Sequence, residues 1–308
     1  MRLVADGTLD TSLAALLWLL VEARVPLVVA AGPSRTGKTT LLEAALDFLP
    51  VSVRRHELAG YAEDFAWLPE AAALGWRPHG FRGIGVGQPI AAGAPDGSGA
   101  PGALGAPNAA GALRPPTEPV APSSTVMVAS ELSDHLPIYT WGEQARIAVR
   151  ALSLGYGLGA TIHAESLEEV FAELGSAEVG LSDDELSRLG VVVILRVVPE
   201  RGTGRPIRRV VAAHYVRPVS RDTGGHVQHL GPAVLSTWDE RTDRFEDFAW
   251  GVVPELAERV GRRAGDFEIE RERRAAVIAT LVRSAVFEAE SVRAELLRHA
   301  LPPASARG

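Results

Sequence analysis

The sequence predicts an α/β fold around a central, mostly parallel sheet, and three observations carry that expectation. The runs LVVAA (27–31), TVMVAS (125–130) and VVVILRVV (191–198) are short, uninterrupted and apolar, as strands buried on both faces are. Segments of helical spacing that begin with capping residues alternate with these runs. A glycine-rich stretch, GPSRTGKTT (32–40), follows the first strand and opens a helix, at the strand end where open α/β sheets hold their ligands.

In chain order, Asp10 and Thr11 are good caps for a helix running to about Arg24. Its apolar run LAALLWLLV (13–21) reads as a buried amphipathic helix and falls well short of the ~20 residues that span a bilayer. Asp6 and Asp10 precede it where a signal peptide would carry positive charge, so a cytoplasmic protein is expected. Pro26 ends that helix, LVVAA forms a strand, and TTLLEAALDFL forms the next helix until Pro50 stops it. VSVRRHEL (51–58) reads as a further short strand.

Residues 91–124 are almost entirely Ala, Gly, Pro and Ser, a composition that buries too little surface to offset its ordering entropy. They are expected to form a disordered insertion within one domain, since TVMVAS follows immediately and ends in Glu131. Thr140 with Glu143 predicts a capping box for a helix to about Leu154, and GATIHA (159–164) the next strand. Ser166 with Glu169 and Ser182 with Glu185 repeat the capping device. After VVVILRVV come strands near 208–216 and 226–234, then WDERTDRFE as a turn and edge. Apolar positions such as Ala275, Ile278, Leu281 and Val282 give the last part helical spacing. The expected organisation is a core over 1–252, interrupted at 91–124, with a helical bundle over 253–308.

Composition excludes several functions. The 308 residues suffice for a proper core, and a net charge of −7 gives no electrostatic reason to expect nucleic acid as a partner. With no cysteine, disulfides, thiolate nucleophiles and cysteine zinc sites are ruled out.

The chemistry centres on the loop. Gly32, Pro33, Ser34, Arg35, Thr36, Gly37, Lys38 and Thr39 satisfy G-x-x-x-x-G-K-[ST], with Thr40 next, between a strand and a helix as that motif requires. The glycines let the backbone curl its N–H groups towards phosphate oxygens, and the helix N-terminus adds partial positive charge. Lys38 is expected to bridge the terminal phosphates of ATP, and the Thr39 hydroxyl to ligate Mg²⁺. Such a site needs a further carboxylate, for which Glu131 at the end of TVMVAS is the candidate. Position alone leaves open whether Glu131 serves the nucleotide or merely faces solvent, and whether His163 in TIHAES is functional or structural. His226 and His229 would lie on opposite faces of a strand and are not read as a metal pair. Glu57 is a further carboxylate, and Arg201, Arg205, Arg208 and Arg209 read as a solvated basic face around a hairpin. No basic lid with paired arginines suggests a small-molecule kinase.

In this order, the pieces resemble the type II/IV secretion ATPase family, whose members drive secretion and pilus or tight-adherence assembly as hexamers. The likeness rests on SLAALLWLLVEARVPLVVAAGPSRTGKTTLLEAAL, on VMVASEL with Glu131, on GYGLGATIHAESLEEVF with His163 in the histidine position, and on the WDERTDRF layout. It implies a P-loop NTPase (RecA-like) core, with Glu131 acting with Mg²⁺ on the hydrolytic water and His163 sensing the terminal phosphate. The family's acidic Asp box falls at VSVRRHELAG, where Val53 and Arg54 occupy its positions and Glu57 keeps a late acid. Ser130 replaces its Walker B glycine and Ser133 an arginine, and the loop already begins at Gly32, with no counterpart of the arginine-supplying N-terminal domain before it. Arginine fingers are worth ~10³–10⁵ in rate. The resemblance therefore implies a homo-oligomer or a partner supplying arginines in trans. It also implies a cytoplasmic location peripheral to the inner face of the membrane, beside secretion or pilus machinery. A nucleotide-binding regulator with little hydrolysis is the alternative expectation.

Overall fold

The computed structural model describes residues 1–32, 35–77, 120–221 and 227–299. Two compact units divide the chain, one of 1–63 with 120–308 and one of 64–119. In the smaller unit, Phe65 packs its ring 6.1 Å from Trp67 and edge-on at 5.0 Å from Trp76.

The larger unit opens with α1 (Arg2–Ala5) and α2 (Thr11–Glu22). Asp10 caps α2, its carboxylate accepting from the Leu13 N–H at 2.8 Å. All nine residues from Leu13 to Val21 are buried, so α2 is enclosed on every side, where one apolar face was expected. β1 (Leu27–Ala30) follows, then α3 (Lys38–Leu46) and β2 (Arg54–Glu57). β3 (Thr125–Leu132), α4 (Gly142–Ala151) and β4 (Gly157–Ile162) come next, then α5 (Leu167–Gly175) and α6 (Asp183–Leu186). β5 (Val191–Pro199) and β6 (Pro206–Tyr215) form a long hairpin. After it come the short pair β7 (Ser220–Arg221) and β8 (Val227–Gln228), then β9 (Ala233–Asp239) and β10 (Arg244–Asp247). The chain closes with α7 (Val253–Arg259), α8 (Ala264–Arg283) and α9 (Ala289–His299).

Eight strands share one sheet in the order β10-β9-β6-β5-β1-β4-β3-β2. The five strands from β5 to β2 run parallel, and β6, β9 and β10 extend the sheet in antiparallel fashion. This is the α/β fold with a mostly parallel centre that the apolar runs predict. β1 lies between β4 and β5 with Leu27 beside both Gly159 and Val191, so its carboxyl end opens in the middle of the sheet. Gly159 lets α3 settle on β4: a Cβ there would lie 3.0 Å from Leu46 Cδ2 and 3.2 Å from Leu42 Cδ1.

Three local expectations change. Thr140 and Glu143 form no capping box; α4 has Trp141 as its N-cap, with no side-chain cap. Thr140 is instead buried, and its N–H donates to the Glu131 carbonyl at 2.9 Å, closing the loop that follows β3. The capping box at Ser182 and Glu185 does form, and Ser166 caps α5. Most of the insertion expected at 91–124 lies outside the described residues, but its last residues belong to the fold: Pro122–Ser124 make a 3-10 turn. The Pro122 carbonyl accepts from Arg24 at 2.8 Å, and the Val120 carbonyl from the Tyr156 hydroxyl at 2.8 Å. The third change concerns α8, which buries Phe267, Glu270, Arg274, Ile278 and Leu281, so two charged residues sit on the face expected to be apolar. Among the described residues no helix is long and apolar enough to cross a membrane.

Candidate functional site

Parallel pairing puts the carboxyl ends of β1, β3 and β4 on one edge of the sheet, and with them the loop from Gly32, Glu131 and His163. The loop turns into α3 at Gly37, which takes φ +101° as the N-cap. A side chain would be strained in that backbone. Leu41 N–H makes the first helical bond, to the Gly37 carbonyl at 3.0 Å. The N–H groups of Lys38, Thr39 and Thr40 therefore have no partner within the helix and point towards its positive end.

The fold hides Lys38: its side chain is 8% exposed, and Nζ donates to Glu131 Oε1 at 3.2 Å. Glu131 reaches it because the pairing of β3 with β4 shifts register between Ala129 and Leu132, an irregularity that re-aims the strand end. Thr36 is 2% exposed, and its Oγ1 has no hydrogen-bond partner among the described residues. A buried, unpaired hydroxyl beside a helix N-terminus fits an incoming acceptor such as a phosphate oxygen.

These groups border one open cavity of about 1100 Å³, which the stretch from Arg35 to Leu41 and Glu131 line together. Thr39 and Thr40 are exposed to it at the first turn of α3. Pro33 and Ser34 lie outside the described residues. Gly32 sits at the back of the loop, where the Glu165 carboxylate packs so closely that a Cβ would come within 2.2 Å of its Oε1. His163 is exposed, one residue beyond β4, and does not line this cavity; its ring lies 6.4 Å from that of His135. Glu57 ends β2, four strands from β5, with a pKa raised above the usual carboxylate value by burial and then by Glu43.

Three of the four hairpin arginines, Arg201, Arg205 and Arg208, are exposed as expected, and Arg209 departs from that face. Arg209 is 7% exposed and grips Asp243 with two bonds, at 2.9 and 3.1 Å. Those bonds hold the Asp243 carboxyl below its ordinary value. Arg208 turns the other way and donates from Nε to the Thr36 carbonyl at 2.8 Å and from Nη2 to the Arg35 carbonyl at 3.4 Å. Arg205 and Arg208 both line the cavity, as do Arg2 and Asp6 from the α1 segment. No local sequence signal announces Arg208, because its partners lie 172 and 173 residues away.

Among the described residues no group of three His, Cys, Asp or Glu side chains could hold a metal ion. Magnesium, however, is bound through one or two protein ligands, substrate phosphates and several waters. The Thr39 hydroxyl and Glu131 fit that modest requirement.

Fold and cavity together define an α/β protein with a cation-rich cavity at the carboxyl edge of a parallel sheet. No protein-family model matches the chain, and no curated protein matches it. Among solved structures it is similar to the VirB11 ATPase from the Brucella suis type IV secretion system, in complex with sulphate, at 19% identity and a TM-score of 0.34. The similarity covers 64% of this chain and 50% of that one, so the chain spans about half the length of that structure. A likeness of that size assigns neither a family nor an activity.

Proposed function

We propose that the chain is a P-loop ATPase with a RecA-like core that binds Mg²⁺-ATP at Gly32–Thr40 and hydrolyses it. In this reading it is a motor of the secretion type that energises assembly or transport of a protein complex. The observation that carries the proposal is the Lys38–Glu131 pair at 3.2 Å, which joins the loop lysine to a carboxylate at a strand end inside one cavity. Without nucleotide, Glu131 neutralises Lys38. Phosphate oxygens compete for the ammonium, and a released Glu131 carboxylate is a base within reach of a water attacking the terminal phosphate. The N–H groups of Lys38–Thr40 and the Thr36 hydroxyl orient the phosphates. Thr39 and Glu131 would hold magnesium, which when bound would supply positive charge to offset that of the phosphates. His163 is the proposed sensor of the terminal phosphate on its place just beyond β4, at the same edge of the sheet as the loop but outside the cavity lining.

Nucleotide binding and ATP turnover by the full chain, with Mg²⁺, test this reading. Lys38→Ala is expected to abolish turnover and weaken binding, and Glu131→Gln to keep ATP bound while turnover is lost. Failure of the full chain to bind ATP would remove the proposal. Tight binding without turnover at any protein concentration would make the chain a nucleotide-dependent regulator.

A further inference from the structure

We propose that Arg208 is a phosphate-directed arginine supplied in cis by β6, so that one chain carries the cationic complement of a triphosphate site. This inference rests on the nucleotide reading of the loop and departs from the expectation that arginines come from a neighbouring subunit or partner.

Geometry is the first support. Arg208 Nε and Nη2 donate to the carbonyls of Thr36 and Arg35, at 2.8 and 3.4 Å. Both carbonyls belong to the loop that leads into α3. Arg208 is exposed, holds the loop by its backbone and lines the same cavity. Its fit is close: a Cβ on Gly37 would lie 3.2 Å from both Arg208 Cδ and Nε, so the glycine leaves room for the arginine. A guanidinium carries five N–H donors in a rigid fork. None on Nη1 has an acceptor among the described residues, which leaves that edge for an anion.

Charge is the second support. Lys38 is already balanced by Glu131, so the uncompensated charge of the cavity comes from Arg2, Arg35, Arg205 and Arg208 against Asp6. Such an excess suits a polyanion far better than a neutral ligand.

Preorganisation is the third. β6 pairs with β5 from Pro206 to Tyr215 with one register shift, and the adjacent Arg209 is buried in its bidentate grip on Asp243. Neighbours on a strand point to opposite faces, so anchoring Arg209 fixes the direction of Arg208. A cationic group held before the ligand arrives needs little reorganisation at the moment of reaction.

The experiment uses the purified full chain with Mg²⁺, and measures ATP and ADP affinity by calorimetry together with turnover per chain across protein concentrations. Wild type is expected to bind both nucleotides and to keep a constant turnover number on dilution. Arg208→Ala is expected to weaken ATP about tenfold more than ADP, as loss of a charge-assisted contact to the terminal phosphate would, and to slow turnover by ~10³ or more. Arg208→Lys keeps the charge but not the fork, and is expected to recover affinity without recovering turnover. Equal losses for ATP and ADP would reduce Arg208 to a prop for the loop and overturn the inference. So would turnover that rises faster than linearly with protein concentration, since the arginine would then come from another chain. A wild type that binds neither nucleotide removes the nucleotide reading itself, a result distinct from either of these. Should Arg208→Ala fail to fold, Arg208→Gln carries the same comparison.

Discussion

The Arg274 guanidinium lies 4.5 Å from the centre of the Trp18 ring, pinning α8 to the enclosed helix α2. Trp18 also stacks on Phe48, 5.4 Å away and 8° from parallel, so the residues after α3 join the same cluster. Arg274 is fully buried; its Nε donates to Glu270 Oε1 at 2.8 Å and its Nη1 forms an ion pair with Glu22. Burial raises the Glu270 pKa, but bonds from Arg273 and Arg274 outweigh it and leave the group below its ordinary value. Breaking a buried pair from one side strands the other charge, at about 3–5 kcal/mol. Arg274→Ala is expected to lower the denaturant midpoint by a stability loss of that order at unchanged slope. Arg274→Met combined with Glu270→Gln is expected to recover much of the loss. A change below about 1 kcal/mol for Arg274→Ala would show that the cluster does not hold α8.

Thr36→Val separates stability from binding. The native hydroxyl is buried without a partner, a state that costs about 1–3 kcal/mol. Replacing it with a methyl group of similar shape is expected to leave the ligand-free protein as stable as wild type or more so, by thermal melting. ATP affinity is expected to fall. A melting temperature that drops with affinity unchanged would show that the hydroxyl serves the fold.

Gly159→Ala tests the seat of α3. The new Cβ would press on Leu46 and Leu42 at 3.0 and 3.2 Å, and overpacking of this kind costs about 1–3 kcal/mol. Since α3 begins at Lys38, nucleotide affinity is expected to fall along with stability. An equally destabilising change on α9 should leave affinity alone. Equal affinity losses in both variants would refute a local effect.

Acid should weaken the fold through two partly buried histidines. The His214 pKa is lowered by burial, only partly offset by Glu168, so folding favours the neutral ring. The unfolded chain takes up its proton near pH 6.5, and the folded one only at lower pH. Stability is therefore expected to be full above that value and to fall as pH drops through it towards the folded pKa. His56, lowered mainly by burial, adds to the same slope. His214→Gln should flatten the decline between pH 7 and 5.5 in urea titrations, and an unchanged slope would acquit the residue. Asp243 acts lower down: its depressed pKa gives stability that is present above the ordinary carboxylate value and lost below it.

Local signals made the central strands, the glycine-rich loop and the Ser182 capping box legible, because each is decided by a few adjacent residues. Glu131 was legible for the same reason, as the polar end of an apolar strand. Thr140 misled because its backbone found a better partner in the Glu131 carbonyl across a closed loop. Arg274 and Glu270 escaped because a search for apolar spacing passes over charges that are buried as a pair. Arg208 escaped because its meaning comes from a contact 172 residues away, which no window of sequence contains.

The peptide between Arg208 and Arg209 is a mechanical coupling. One guanidinium holds the loop at Thr36, and the other holds Asp243, which also accepts from the Trp238 indole at 2.8 Å in the turn joining β9 to β10. The turn at the outer edge of the sheet is thus geared to the loop at its centre through a single link of chain.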